Sequence, residues 1–97
     1  MRRSKPFAGR SLTTSAFWEN FDRLPNPDQE QAREAHRQWL ADPRLPGLRF
    51  KKVHGRRPIY SVRVNITVRA LGVQAEGDIV WFWIGPHDEY EAILKRL

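Results

Sequence analysis

The six residues 79–84 read IVWFWI, and every one of their side chains is apolar. A strand with one face in water alternates polar and apolar residues, so an unbroken apolar run indicates a strand covered on both faces. The run is far shorter than the roughly 20 residues that a membrane-spanning helix needs. We therefore predict a central strand of a sheet, in which simple alternation places Trp81 and Trp83 on one face and Phe82 on the other.

The segment before this run predicts the strands that flank it. Residues 60–65 read YSVRVN and alternate, so that Arg63 points away from the apolar side chains of its own strand. Residues 66–71 alternate in the same way and give Arg69 the same relation to its apolar neighbours. The triplet EGD at 76–78 predicts the turn into the apolar strand.

Two amphipathic helices precede these strands. Thr14 or Ser15 is the expected N-cap of the first, which ends before Pro25 because the residue preceding a proline avoids helical geometry. Asn26 is the expected N-cap of the second, which closes at 42–43, where the sequence is Asp-Pro. Both helices carry apolar residues on one face.

A short third helix, with Asp88 as its expected N-cap, follows the apolar strand. The predicted fold class is α+β: two N-terminal helices packed on one face of a small, mainly antiparallel twisted sheet, with a short C-terminal helix. We expect residues 1–97 to form a single domain, of which residues 1–10 are a flexible basic arm.

Positive charge is concentrated in the middle of the chain. The sequence has 17 Lys and Arg against 11 Asp and Glu, a formal net charge of +6. Residues 44–69 contain no acid, and their cationic members are Arg44, Arg49, Lys51, Lys52, Arg56, Arg57, Arg63 and Arg69. Such a segment suits a polyanion, and RNA above others.

The sequence contains no cysteine. This excludes a disulfide framework and any cysteine-based zinc site, and it fits a cytoplasmic location. Clustered carboxylates of the kind that hold catalytic metal ions are also missing from the predicted strands, so we expect neither a metal nor another cofactor.

Several short pieces of sequence follow one another in a defined order. They are Leu24-Pro25, Asp42-Pro43, LRFKKV at 48–53, YSVRVN at 60–65, Arg69-Ala70-Leu71-Gly72 and WFWIGPHDEY at 81–90. This ordered set resembles the RelE/ParE superfamily of bacterial type II toxins over roughly residues 12–97. One departure is Val68, because family members often have a tyrosine immediately before the arginine that corresponds to Arg69.

The resemblance implies a RelE-like fold and a toxin that cleaves messenger RNA, usually on the ribosome, and that a cognate antitoxin neutralises. A sister branch of the same fold inhibits DNA gyrase and does not cut RNA. Because fold does not imply function, the superfamily alone leaves the reaction open.

A metal-free ribonuclease needs a base, a cationic clamp for the phosphate and an acid. Arg63 and Arg69 are the predicted clamp, since a planar guanidinium contacts phosphate through two parallel hydrogen bonds. The predicted acid or base is His87, whose intrinsic pKa is near neutral, or one of Lys51 and Lys52, because a desolvated lysine among arginines has its pKa lowered. Tyr90 matches the family's C-terminal aromatic position, where it either stacks on a base, transfers a proton or belongs to the core.

Further cations are predicted to bind RNA. Lys51 and Lys52 are adjacent, so a strand would point them to opposite faces and only one would line the site. The sequence does not choose between them. The remaining predicted contacts are Arg49, His54, Arg56 and Arg57.

Three functions fit the sequence. The first is a metal-independent endoribonuclease acting on messenger RNA. The second is a protein that binds and inhibits DNA gyrase without catalysis. The third is a non-catalytic RNA-binding relic of the toxin fold, which the missing tyrosine before Arg69 keeps open.

Overall fold

The computed structural model describes residues 9–97. Their helices and strands are β1 (Ser11–Thr13), α1 (Ser15–Asp22), α2 (Asn26–Ala41), a 3-10 helix (Pro46–Leu48), β2 (Lys51–Lys52), β3 (Ile59–Arg63), β4 (Val68–Ala75), β5 (Asp78–Pro86) and α3 (His87–Arg96). Within this part of the chain, no helix combines the length and the hydropathy needed to cross a membrane.

Most of the predicted basic arm, residues 1–8, lies outside the described residues. The last two residues assigned to it are held by the turn between β4 and β5. The Gly9 amide donates to the Gly77 carbonyl at 3.0 Å. Arg10 forms an ion pair with Asp78 at 3.1 Å. Residues 9 and 10 are therefore attached to the end of the β4–β5 hairpin.

The five strands form one sheet in the order β1-β5-β4-β3-β2. β1 runs parallel to β5, and the other neighbouring pairs are antiparallel. β5, which contains the apolar run 79–84, has a strand on each side and helices over both faces, as its sequence predicts. The predicted α+β class is confirmed.

Helices α1 and α2 cover one face of the sheet, which we call the closed face. Phe21 and Trp39 from these helices pack against Trp81 and Ile84 from β5. The rings of Trp39 and Trp81 meet edge to face with centroids 5.5 Å apart, a favoured arrangement for aromatic pairs. Thr14 caps α1 as predicted, because its Oγ1 accepts a hydrogen bond from the Phe17 amide at 3.1 Å.

Helix α3 packs on the opposite face, which we call the open face. Its buried Tyr90 and half-buried Leu94 contact Ile59, Leu71 and Trp83 from the strands. The helix has only 10 residues and lies over β4 and β5. The part of this face formed by β2 and the end of β3 is left uncovered.

The prediction that Trp81 and Trp83 share a face is wrong. Leu71 pairs with Trp83 whereas the next residue, Gly72, pairs with Trp81, so Phe82 is an extra residue in β5. Such a β-bulge interrupts the alternation of side chains. Trp81 therefore packs on the closed face and Trp83 on the open face.

Two predicted helix starts are also shifted. Asn26 is the first residue of α2 rather than its cap, with Pro25 in the cap position. Helix α3 begins at His87, one residue before its predicted cap. The His87 amide donates to the Thr67 carbonyl at 2.7 Å, so this helix-end donor is satisfied by the sheet instead of by a capping side chain.

Candidate functional site

A groove of about 650 Å³ runs between α3 and the strands β2 and β3 on the open face. We call it the cationic groove, and its lining residues are Arg49, Lys51, Lys52, Val53, Ser61, Arg63, Arg69, His87, Tyr90, Glu91, Leu94 and Lys95. Glu91 is the one carboxylate in this lining. The groove brings together all four predicted catalytic residues and three of the six predicted RNA-binding residues.

Two arginines face each other across the floor of the groove. Arg63 at the end of β3 and Arg69 at the start of β4 are direct cross-strand partners, so the pleat sends both side chains to the same face. Within residues 9–97, neither guanidinium forms an ion pair with a carboxylate. The hairpin thus holds two like charges side by side.

The Arg69 guanidinium is fixed by the turn that precedes it. Its Nη1 donates to the Asn65 carbonyl at 2.7 Å and to the Val68 carbonyl at 3.1 Å. Burial lowers the pKa of Arg69 below its ordinary value, and repulsion by Arg63 and Arg49 lowers it further. Burial and the two neighbouring cations therefore both disfavour the charged form of this guanidinium.

His87 and Tyr90 form one wall of the groove. They lie in the first turn of α3, with ring centroids 5.6 Å apart. The Tyr90 hydroxyl donates to Ser61 Oγ at 3.3 Å, and both side chains are buried. Tyr90 therefore belongs to the core and to the groove at once, since its ring packs on Leu71 and Trp83 while its edge lines the groove.

The sequence reading missed Ser61, Glu91 and Lys95. Glu91 Oε2 lies 3.7 Å from His87 Nε2, one helical turn further along α3. Lys95 follows after another turn and also lines the groove. Positions 87, 91 and 95 form a helical i, i+4 series that is visible in the sequence. The places of Glu91 and Lys95 beside His87 could therefore have been predicted. Nothing in the sequence singles out Ser61.

The prediction that only one of Lys51 and Lys52 can line the site is wrong, because both line the groove. Lys51 pairs with Ser61 and so points to the open face by register. Lys52 pairs with Tyr60, whose ring belongs to the closed face. β2 is a two-residue strand at the free edge of the sheet, and both of its lysines are exposed there.

Arg49 stands at the rim of the groove in a left-handed backbone conformation, with φ 47°. Residues other than glycine, asparagine and aspartate seldom adopt this conformation, and such backbone strain is concentrated at functional sites. Here it ends the 3-10 helix and turns the chain into the segment that leads to β2.

Three predicted RNA contacts lie outside the lining of the groove. His54 Nδ1 accepts hydrogen bonds from the Arg56 and Arg57 amides at 3.1 and 3.0 Å. That leaves its Nε2 as the donor to the Leu97 carbonyl at 2.9 Å. His54 thus ties the loop after β2 to the end of α3, and the side chains of Arg56 and Arg57 are exposed on that loop.

A second, smaller cavity of about 130 Å³ lies on the closed face between α1, α2 and the sheet. Apolar side chains dominate its lining, which also includes His36. Burial lowers the pKa of His36 below the ordinary 6.5. Ser11 Oγ accepts from Trp81 Nε1 at 2.9 Å, so its hydroxyl proton is available for His36 Nε2, also at 2.9 Å. This cavity holds none of the predicted site residues.

Potential metal ligands do not cluster in the described part of the chain. Nowhere in residues 9–97 do three His, Asp or Glu side chains converge in a way that would hold an ion.

With the fold and groove defined, the comparisons with known proteins identify the family. The sequence pattern of the ParE-like toxin domain matches residues 28–92, about two-thirds of the chain. The chain therefore belongs to the ParE-like toxin family and is a toxin of a RelE/ParE-type toxin–antitoxin module. The resemblance seen in the sequence is confirmed. A comparison with curated protein sequences finds no match.

Solved structures share the fold. The RelB-RelE antitoxin-toxin complex from Methanococcus jannaschii superposes with a TM-score of 0.68 at 13% identity, covering 84% of this chain and 96% of that one. The YoeB/ParE toxin from Agrobacterium tumefaciens gives 0.64 at 13% identity, over 81% and 99%. The isolated E. coli RelE toxin gives 0.63 at 15% identity, over 93% and 100%. At these identities the likeness concerns the fold alone.

Proposed function

We propose that this toxin is a metal-independent endoribonuclease that cuts messenger RNA in association with the ribosome. The observation that carries the proposal is the cross-strand pair Arg63–Arg69 within a groove that also holds His87 and Tyr90. Like charges placed directly opposite each other destabilise a sheet. An RNA phosphate between them would turn that repulsion into two charge-assisted hydrogen-bonding contacts.

The groups in the groove match the needs of the reaction. The ribose 2′-oxygen attacks the adjacent phosphorus, the bond to the 5′-oxygen breaks, and the products carry a 2′,3′-cyclic phosphate and a 5′-hydroxyl. Arg63 and Arg69 stabilise the added negative charge on the phosphate. His87 protonates the departing 5′-oxygen. Lys51, on the groove face by register, accepts the 2′-hydroxyl proton when it reacts as the neutral amine, and becomes an ammonium group in that step.

The remaining lining residues serve binding. The ring of Tyr90 beside His87 offers a surface on which a base can stack, which discriminates weakly among bases. Arg49, Lys52 and Lys95 at the rim attract the phosphate backbone in a salt-dependent way. Arg56 and Arg57 extend this attraction beyond the groove.

We also propose a cognate antitoxin as protein partner. Two of the structures that share this fold, from M. jannaschii and E. coli, are toxins in complex with their RelB antitoxins. The charge of the groove favours an acidic segment of such a partner, because complementary charge directs association.

The proposal is tested by inducing the chain in a bacterium and mapping transcript ends. We expect growth arrest and new 5′-hydroxyl ends within coding regions. Arg63→Ala and Arg69→Ala should each reduce cleavage by about 100-fold or more, as expected for removal of a group that stabilises transition-state charge. Arg37→Ala is the matched control, because Arg37 is an exposed arginine on α2 that pairs with Glu34 far from the groove.

Intact messenger RNA in arrested cells would reject the ribonuclease proposal. Equal cleavage by the Arg63, Arg69 and Arg37 variants would reject the groove as its site. Circular dichroism of each variant separates loss of cleavage from loss of fold.

Inhibition of DNA gyrase is the second candidate, and the match to the ParE-like toxin domain favours it. In this case the chain binds gyrase without catalysis, and arrested cells show intact messenger RNA and relaxed plasmids. A supercoiling assay with purified gyrase decides the matter, since unimpaired supercoiling at excess toxin removes this candidate.

A further inference from the structure

The turn between β3 and β4 is organised around one side chain, that of Asn65. Its Oδ1 accepts hydrogen bonds from the Thr67 amide at 2.8 Å, the Val68 amide at 2.9 Å and the Thr67 hydroxyl at 3.1 Å. A short polar side chain that bonds to the backbone two residues ahead is a recognised way of fixing a turn. Here one oxygen satisfies three donors.

This turn holds both a clamp residue and the start of α3. The carbonyls of Asn65 and Val68 accept from Arg69 Nη1 at 2.7 and 3.1 Å. The carbonyl of Thr67 accepts from the His87 amide at 2.7 Å. Three carbonyls of one turn therefore locate the Arg69 guanidinium and the His87 backbone relative to each other.

The other end of the Asn65 amide reaches helix α2. Its Nδ2 donates to Asp28 Oδ1 at 3.0 Å and to Gln31 Oε1 at 2.5 Å. The side chain thus accepts at one end and donates at the other, which a carboxylate or a hydroxyl of similar size cannot do in the same arrangement. Asn65 thus links the turn to α2 by hydrogen bonds, beside the apolar packing of Val64 and Val68 on the closed face.

Packing does not hold the tip of the turn. Ile66 is 75% exposed and Thr67 is also exposed, so little apolar burial fixes their conformation. The side-chain hydrogen bonds of Asn65 are therefore the main restraint on residues 66–67, whereas Val68 is also held by burial and by backbone hydrogen bonds from the Val64 and Asn65 amides to its carbonyl. Without the bonds of the Asn65 side chain, the carbonyls of Asn65 and Thr67, which hold Arg69 and His87, would sample other orientations.

We propose that Asn65 is a positioning residue for the reaction in the cationic groove. It sets the Arg69 guanidinium and the first turn of α3 at a fixed separation and anchors both to α2. The inference rests on the proposed function of the groove, since it concerns groups that act there. A guanidinium has five N–H donors, so Nη1 can bind the turn while the remaining donors stay available to phosphate.

The first test compares Asn65→Ala with Asn20→Ala. Asn20 is a matched control because its side chain makes only local hydrogen bonds on α1, away from the groove. We expect Asn65→Ala to lower kcat for RNA cleavage by about 100-fold with little change in KM, since misplacement of a catalytic group by about 1 Å has an effect of that size. Asn20→Ala should leave both constants unchanged.

The second test does not require cleavage. In ¹⁵N NMR spectra the Arg69 guanidinium of the unaltered chain should give a resolved Nη1 signal with slowed rotation, because two carbonyls hold it. We expect Asn65→Ala to abolish that signal and Asn20→Ala to keep it. If the unaltered chain cuts no RNA, the proposed function fails, while this spectrum still decides whether Asn65 positions Arg69.

A reciprocal pair of substitutions covers the case in which Asn65→Ala does not fold. Asn65→Asp keeps the acceptor for the turn, loses the donor to α2 and places a second carboxylate beside Asp28. We expect a weakened Arg69 signal and about a tenfold loss of kcat. Combining it with Asp28→Asn restores a donor–acceptor pair and should recover both. The inference is overturned if Asn65→Ala or Asn65→Asp leaves both the Arg69 signal and kcat unchanged. It is also overturned if the double variant does not recover the signal and kcat.

Discussion

The two faces of the sheet differ in what they carry: one is an apolar core and the other is mainly a cationic groove. On the closed face, α1 and α2 bury a continuous set of aromatic and aliphatic side chains that includes Phe21, Trp39 and Trp81. On the open face, α3 completes a smaller apolar cluster and leaves a groove lined mainly by cations. Both faces use side chains from the same strands, because residues alternate between them.

The difference shows where stability and chemistry are located in this small protein. The closed face buries the larger apolar cluster and therefore contributes more hydrophobic stabilisation than the open face does. The open face adds less burial and carries the unfavourable Arg63–Arg69 pairing. Substitutions on the closed face should therefore change stability, whereas substitutions in the groove should change function with little or no loss of stability.

The largest expected effect is that of Trp39→Ala. Trp39 is 5% exposed and contacts Phe50 and Trp81 edge to face, so its removal leaves a cavity. We expect the free energy of unfolding to fall by about 3–5 kcal/mol in urea denaturation. Leu40→Ala is the control, because Leu40 is the next residue of α2 and 46% exposed. A loss under about 1 kcal/mol for Trp39→Ala, well below this range, would contradict the assignment of the core to the closed face.

Tyr90→Phe tests a residue that belongs both to the apolar core and to the lining of the groove. The substitution removes the hydrogen bond from the buried hydroxyl to Ser61 Oγ and keeps the ring. We expect a loss of about 1 kcal/mol in the free energy of unfolding, with RNA cleavage reduced less than tenfold because the stacking surface remains. Single-turnover cleavage measures the second quantity. A 100-fold loss would instead assign proton transfer to the hydroxyl.

Arg63→Gln should abolish cleavage and yet raise the free energy of unfolding, whereas Trp39→Ala should lower that free energy. Removing one of two facing guanidinium groups should raise the free energy of unfolding by about 0.2–1 kcal/mol at low salt, while cleavage is lost. The gain should shrink at high ionic strength because salt screens the repulsion between partly exposed charges. Urea denaturation at two salt concentrations measures it, and a decrease in stability at low salt would show that the pairing is not repulsive.

The smallest expected effect is on the pH dependence of the free energy of unfolding, through His36 on the closed face. Burial lowers the pKa of His36 from 6.5, so the unfolded chain binds this proton more readily than the folded chain does. The stabilisation is complete above pH 6.5 and is lost as the pH falls through the folded-state pKa. We expect His36→Gln to flatten the dependence of the free energy of unfolding on pH below pH 6.5. An unchanged slope would rule out His36 as its source.

The sequence allowed the general layout of the groove to be predicted because strand alternation is strict near the β3–β4 hairpin. Arg63 and Arg69 follow their apolar neighbours with period two, and both point to the open face as expected. Their direct pairing was not predictable, because the hairpin register depends on the turn that Asn65 organises.

Other features of the groove depend on contacts that sequence patterns do not encode. The prediction that only one of Lys51 and Lys52 lines the site rested on ideal alternation, which is a weak guide in a strand of two residues at the edge of the sheet. The start of α3 at His87 depends on a carbonyl 20 residues earlier, that of Thr67, rather than on a local capping residue. Glu91 and Lys95 could have been found from their helical spacing to His87.

The extra residue in β5 also determines which changes of length the strand can absorb. Ile79 and Trp81 before the bulge, and Ile84 after it, all pack on the closed face. Deleting Phe82 would restore plain alternation and leave each of these side chains, and Trp83, on its present face. Deleting Val80 instead would send Trp81 to the wrong side. The bulge therefore makes position 82 the place in the central strand where one residue can be deleted while the other side chains keep their faces.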